Sequence, residues 1–316
     1  MHPRVKRLIK RTPVLGSLWS SRDRALRDLA AHQAALHEHQ RSLGEHQSAL
    51  ARTEQSLAEH QTALEDSRQV VADYRNIFGG NEKGEGYFSN DVITFNKSLD
   101  FLTDSRFRRA YERGINSGQQ LGPMVNADLG IEFRVHIILW AAHHAMQLEG
   151  DFVECGVNTG IFSLAVCDYL DWNKQGRTFW LFDTYCGIPK SMLTDRERAQ
   201  GTTDQFQHSY FDCYELVQQN FQPYTGIQII RGVVPGTLNQ FTGRKVAYLS
   251  IDMNMVEPEI AAIEFFWDRL EKSAIVVLDD YGWIRRRLQK EAFDDFAKRK
   301  GIMIATLPTG QGLIVK

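Results

Sequence analysis

The chain has 316 residues, 43% of them hydrophobic and 24% charged, and a formal net charge of −2. These are ordinary values for a soluble globular protein, with room for one large domain plus appendages, and the near-neutral balance excludes a global field for nucleic acid, so no nucleic-acid partner is expected. No apolar run approaches the roughly 18 residues of a membrane helix, and the four cysteines (Cys155, Cys167, Cys186, Cys213) show neither a CxxC pair nor a zinc spacing, which suits a reducing, cytoplasmic compartment.

Residues 1–24 form a basic amphipathic terminus. Arg4, Lys6, Arg7, Lys10 and Arg11 alternate with Val5, Leu8 and Ile9, and Pro13 and Gly16 interrupt the apolar part that follows. Without an uninterrupted apolar region or a small-residue cleavage site, a signal peptide is not expected. Residues 1–20 could rest on an anionic membrane surface at the inner face of the membrane; a frayed basic terminus is the plainer reading. Residues 25–78 carry a seven-residue repeat: Leu29, Leu36, Leu43, Leu50, Leu57 and Leu64, then Val71. A period of seven over this length predicts a coiled-coil stalk and a homo-oligomer. The seam is poor, because the facing positions are Gln33, Gln40, Gln47, Glu54 and Gln61, and Gly44 weakens the helix. A solvated single helix is the alternative. Residues 79–86, rich in glycine, read as a linker.

Residues 87–149 read as a mostly helical cap segment. Phe101, Leu102, Phe107, Ala110 and Tyr111 suggest one amphipathic helix, and Phe133–Leu148 a second, largely buried one. His143 and His144 are adjacent in that second helix, so they point to different faces; one of them could face a site.

Residues 150–316 alternate strands and helices. Phe152–Val157 is a first strand, followed by a glycine-bearing turn and a helix through Leu170. Arg177–Asp183 is a second strand, Tyr214–Phe221 a helix and Ile227–Val234 a third strand. Val246–Ile251 and Ala274–Leu278 are strands four and five. They flank a helix on which Ile260, Ile263, Trp267 and Leu270 recur. Ala292–Lys300 is helical, and Ile302–Leu307 with Gly312–Val315 reads as a closing hairpin. Five parallel strands and a terminal hairpin predict an α/β fold. They fit the Rossmann-like seven-stranded sheet of class I methyltransferases, expected here with helices on both faces and preceded by a helical segment and the coiled coil. The six-stranded dehydrogenase sheet has no such ending.

Chemistry should gather at the C-terminal edge of the parallel strands. The first turn, Glu154-Cys155-Gly156-Val157-Asn158-Thr159-Gly160, lacks the G-x-G-x-x-G dinucleotide spacing. Gly156 and Gly160 let a ligand approach the backbone, and Glu154 ahead of them suits S-adenosylmethionine better than a pyrophosphate. Asp183 ends the second strand and could accept ribose hydroxyls or cap a turn. Asp252, at the end of strand four, and Asp279 and Asp280, at the end of strand five, could bind a hard divalent cation through oxygen; a turn cap and a solvated carboxylate are the plainer roles. The polar stretch 190–211, with His208, would be a mobile lid.

Taken in order, GDFVECGVNTG, FWLFDTYCGIP, IIRGVVPGTL, LSIDMN and VVLDDYGW resemble the macrocin O-methyltransferase family over roughly residues 133–316. The resemblance implies an S-adenosylmethionine-dependent O-methyltransferase that uses Mg2+ or another divalent cation, with sugar hydroxyls of glycans or glycosylated metabolites as acceptors. By motif, Glu154, Gly156, Asn158, Gly160 and Asp183 would bind the cofactor, and Asp252, Asp279 and Asp280 the metal. There is one departure. Asn254 occupies the place where the family has a second aspartate as general base, and an amide cannot take up the proton. His143, His144 and His208 are unranked substitutes. A second functional reading is a non-catalytic oligomeric scaffold in a polysaccharide-assembly complex.

Overall fold

The computed structural model describes residues 13–78, 87–89, 92–94, 97–122, 124–199 and 210–316. The chain divides into two compact units, residues 1–83 and 84–316.

In the first unit, one helix, α1 (Pro13–Phe78), runs for 66 residues, about 100 Å at 1.5 Å per residue. It passes through Gly16 and Gly44 without a break. It also begins earlier than the sequence predicted, because Pro13 stands at the first helical position, where a missing N–H costs nothing. Leu29, Leu36, Leu43, Leu50 and Leu57 are each 56–60% exposed along it.

The second unit begins with a two-strand ladder, β1 (Tyr87–Phe88) and β2 (Ile93–Thr94). Two helices follow, α2 (Ser105–Ile115), whose N-cap Asp104 accepts the Phe107 N–H, and α3 (Glu132–Ala145). The stretch before β3 is therefore less helical than expected, since no helix lies between Asn116 and Ile131 among the described residues. Phe107, Ala110, Val135 and Ile138 are buried in the same core as the sheet residues Phe152 and Tyr248, so their apolar faces are covered only when they pack on the sheet.

The sheet contains β3 (Asp151–Cys155), β4 (Phe179–Asp183), β5 (Ile227–Arg231), β6 (Val246–Ile251), β7 (Leu270–Leu278), β8 (Ala305–Thr306) and β9 (Gly312–Val315), in the order β5-β4-β3-β6-β7-β9-β8. Strands β3 to β7 pair in parallel, and β9 is antiparallel to both β7 and β8. The main crossovers are α4 (Ile161–Tyr169), α6 (Tyr214–Phe221) and α7 (Val256–Trp267), with a five-residue α5 (Asp195–Ala199) and the late helix α8 (Arg287–Lys300). Alternate residues of the strands enter opposite cores. Phe152, Tyr248, Ile275 and Val277 pack with α2, α3 and α4; Val153, Leu249, Val276 and Leu278 pack with α7 and α8. Covering on both faces accounts for the unbroken apolar runs of these strands.

Leu270 is a correction. It continues the helical period of Ile260, Ile263 and Trp267 but belongs to β7, paired with Val246. A strand buried on both faces is apolar at every period, so periodicity alone does not end the helix there.

Candidate functional site

The C-terminal ends of β3, β4 and β6 open onto a pocket lined among others by Glu154, Gly156, Asn158, Asp183, Tyr185, Asp252 and Asn254. Its floor is the turn after β3. The Gly156 N–H donates to Phe182 O at 2.8 Å and the Asp252 N–H to Cys155 O at 2.8 Å, which extends the parallel ladder into the turn. Gly156 has φ +91, and a Cβ there would overlap the Asp252 carbonyl. Two main chains thus touch where β3 and β6 end, and only glycine permits it. Gly160 caps α4 at φ +99 and packs on the Phe221 ring. It lies outside the pocket lining and turns the chain into the helix.

Asp183 fastens this turn. Its Oδ2 accepts from the Val157 N–H (2.6 Å) and the Asn158 N–H (2.7 Å), and its Oδ1 from the Tyr185 N–H (2.7 Å). A carboxylate that serves three main-chain donors is a structural clamp as well as part of the pocket wall. Glu154 is 2% exposed and accepts from the Ser163 hydroxyl. Burial pushes its carboxyl up to about 8, with Asp252 and Asp183 adding to the shift and the Ser163 bond opposing it.

Asp252, Asp279 and Asp280 converge as the sequence suggested, with one oxygen from each within 4.8 Å of the others. Parallel pairing of β6 with β7 brings their last residues side by side, Ile251 against Leu278, so the carboxylates that follow meet at one edge. Two arginines balance them. Arg134, from α3, donates through Nε to Asp279 Oδ1 at 3.2 Å and forms an ion pair with Oδ2 through Nη2. Arg286 Nε lies 3.4 Å from Asp280 Oδ2. Gln311 Nε2 also donates to Asp279 Oδ1, at 3.0 Å. Burial raises the Asp252 carboxyl, the Asp280 charge raises it further, and the two arginines pull it back. Asp279 Oδ2 is taken up by the Arg134 guanidinium, and Asp280 Oδ2 is buried without a hydrogen bond, 3.4 Å from Arg286 Nε. Three convergent carboxylates, one of them with such an oxygen, fit a hard divalent cation.

Asn254 lines the pocket at φ +62, and its Nδ2 donates to Asp252 Oδ1 at 3.1 Å. It orients the aspartate and offers no base. The histidine substitutes do not supply one among the described residues. A His144 ring nitrogen lies 3.0 Å from Ser273 O, and His143 packs edge-on to Tyr169. Neither lines the pocket, because both stand on the last turn of α3, towards the early half of β7 and away from the strand ends that carry the carboxylates. His208 lies outside the described residues, as does the middle of the expected lid, 200–209.

Sequence reasoning passed over Arg134, Arg286, Gln311 and Glu259. Glu259, in the first turn of α7, is 3% exposed and accepts the Met253 N–H at 3.1 Å, which shapes the loop that carries Asn254. Burial pushes its carboxyl up to about 8, with Asp280 and Asp252 adding to the effect. The one available signal was a charged residue, Arg134, inside the mostly apolar run FRVHIILWAA.

No curated protein matches the chain. Among solved structures, the O-methyltransferase NovP shares the fold, with a TM-score of 0.56 at 16% identity over 69% of this chain and 99% of that one. The calicheamicin methyltransferase CalS11 aligns with a TM-score of 0.47 at 15% identity, over 74% and 99%. The sequence model of the macrocin-O-methyltransferases matches residues 139–307, more than half of the chain, from within α3 through the glycine turn and all three aspartates to β8. The chain belongs to the macrocin-O-methyltransferase family and is an S-adenosylmethionine-dependent O-methyltransferase.

Proposed function

We propose that the enzyme methylates a sugar hydroxyl of a glycan or glycosylated metabolite, with Mg2+ or another divalent cation held by Asp252, Asp279 and Asp280. The observation that carries this reading is the carboxylate triad, one member of which lines the pocket built on the glycine turn. The acceptor class is that implied by the family. A bound cation would polarise the acceptor oxygen and lower the pKa of its hydroxyl. Around it, Asn254 holds Asp252 in place, Asp183 locks the glycine turn, and Arg134 and Arg286 limit the repulsion among three carboxylates. With an amide at 254, the acceptor proton has no carboxylate waiting at that position. Cation assistance therefore takes a larger share of the activation than in relatives that have an aspartate there.

The test is incubation with S-adenosylmethionine, Mg2+ and a panel of glycosides, followed by mass spectrometry for the gain of one CH2. An Asp279→Asn/Asp280→Asn double variant should lose both turnover and Mn2+ binding by calorimetry; full activity in that variant overturns the metal role. Cofactor binding with no turnover on any glycan would favour the scaffold reading instead.

Self-association through α1 belongs to the same proposal. Five leucines spaced by seven stand exposed on one helix, and pairing with another copy would remove apolar surface worth about 25 cal/mol per Å2 from water. Contact of residues 1–20 with the inner membrane surface is also proposed, from their composition alone. Among the described residues no helix is long and apolar enough to cross a membrane.

A further inference from the structure

The carboxyl and guanidinium side chains lining the pocket are Glu154, Asp183, Asp252 and Arg134 among the described residues. S-Adenosylmethionine carries two cationic centres, the sulfonium and the ammonium, and one carboxylate. Several acidic groups facing a single basic one match that distribution. The carboxylate is the demanding part, because a buried anion requires donors.

Four N–H groups of the turn are already in use. The Val157 and Asn158 N–H groups are given to Asp183 Oδ2, the Gly156 N–H to Phe182 O and the Gly160 N–H to Val157 O. Arg134 is the cationic side chain on the wall among the described residues. Its side chain is 18% exposed, its Nε and Nη2 are braced by Asp279, and its Cζ lies 5.6 Å from the centre of the Phe162 ring, another lining residue. Gln311 Nε2 bonds both Asp279 Oδ1 and the Arg134 carbonyl. The guanidinium is thus held rigidly at the pocket, which lowers the entropy cost of binding a carboxylate.

We propose that Arg134 is the ligand for the α-carboxylate of the cofactor's methionine moiety. The proposal rests on the pocket being the S-adenosylmethionine site. It also makes one residue common to two sites, since the guanidinium that braces Asp279 of the carboxylate triad receives the cofactor.

The experiment is a calorimetric cycle of two proteins and two ligands. The full-length wild type and Arg134→Gln are each titrated with S-adenosylhomocysteine and with 5′-methylthioadenosine, which keeps the adenosine and the thioether but lacks the amino acid. Arg134→Gln should weaken S-adenosylhomocysteine roughly tenfold to a hundredfold, the worth of one charge-assisted pair, and leave methylthioadenosine unchanged. Equal weakening of both ligands would mean that Arg134 only supports the fold, and weakening of neither would mean that it does not touch the carboxylate; either result overturns the proposal. If Arg134→Gln does not fold, the wild type decides. Decarboxylated S-adenosylhomocysteine should then bind it roughly tenfold to a hundredfold more weakly than the parent, and equal affinity refutes the assignment. A wild type that binds neither adenosyl ligand overturns the cofactor site itself, an outcome separate from a change seen only in the variant.

Discussion

Asp183→Asn separates two roles that the same carboxylate could have. If Asp183 served only to accept ribose hydroxyls, the substitution would weaken cofactor binding and leave the free protein as stable as before. The geometry predicts otherwise. Oδ2 takes two main-chain N–H groups at 2.6 and 2.7 Å, and Oδ1 takes the Tyr185 N–H at 2.7 Å. In either amide orientation the new NH2 group faces at least one main-chain donor. At about 1–3 kcal/mol for each buried donor left unsatisfied, the loss is about 1–3 kcal/mol if the amide presents NH2 to Tyr185 and about 2–6 kcal/mol if it presents NH2 to Val157 and Asn158. The former orientation is favoured, so at least ~1 kcal/mol is expected. The assay is urea denaturation without ligand, followed by tryptophan fluorescence, because Trp172 and Trp180 are buried in the unit that carries the pocket. A shift in the midpoint with an unchanged slope reports stability alone. An unliganded Asp183→Asn protein within about 0.3 kcal/mol of the wild type would refute the clamp and return Asp183 to a purely ligand-facing role, below the range set by one lost donor.

Three further outcomes are expected. Gly156→Ala forces a Cβ onto the Asp252 carbonyl at φ +91. The left-handed backbone alone costs about 1–2 kcal/mol, so the variant should melt earlier and bind S-adenosylhomocysteine poorly; a wild-type melting curve would show that the two main chains are not in contact. Glu259 has a folded value of about 8 against an ordinary 4.5, so its contribution to stability is fully present below pH 4.5 and is lost as pH rises towards 8. Glu259→Gln, which keeps an acceptor for the Met253 N–H, should therefore flatten the fall in stability between these limits by up to about 5 kcal/mol, and parallel pH profiles for the two proteins would contradict the burial argument. Removal of residues 1–83 should leave the 84–316 unit folded and reduce the mass seen by analytical ultracentrifugation; an unchanged state of association would end the stalk proposal.

Much of the site was legible because it is local in sequence. Gly156, Asn158 and Glu154 lie within one turn, and an aspartate after each of two parallel strands must arrive at the same sheet edge. Arg134 was not legible as a site residue. It reaches Asp279 across 145 positions, and nothing in the strand pattern says which helix residue overhangs the strand ends. The histidines failed in the opposite way. His143 and His144 have the right chemistry, but the docking of α3 puts them at the wrong end of the sheet. Leu270 shows the limit of periodicity, since a strand covered on both faces has no polar side to mark where the helix stops.

The sequence by itself determined the order of strands and helices, the seven-residue repeat of α1 and the carboxylates at the strand ends. Each of these follows from spacing along the chain and from the fixed geometry of helix and strand. Only the tertiary structure decided that Asp183 clamps the turn, that Asn254 holds Asp252 and that Arg134 and Arg286 neutralise the triad. Those are interactions between buried groups, and burial exists only once the segments have packed. A buried charge then requires a partner, and packing selects which one it meets.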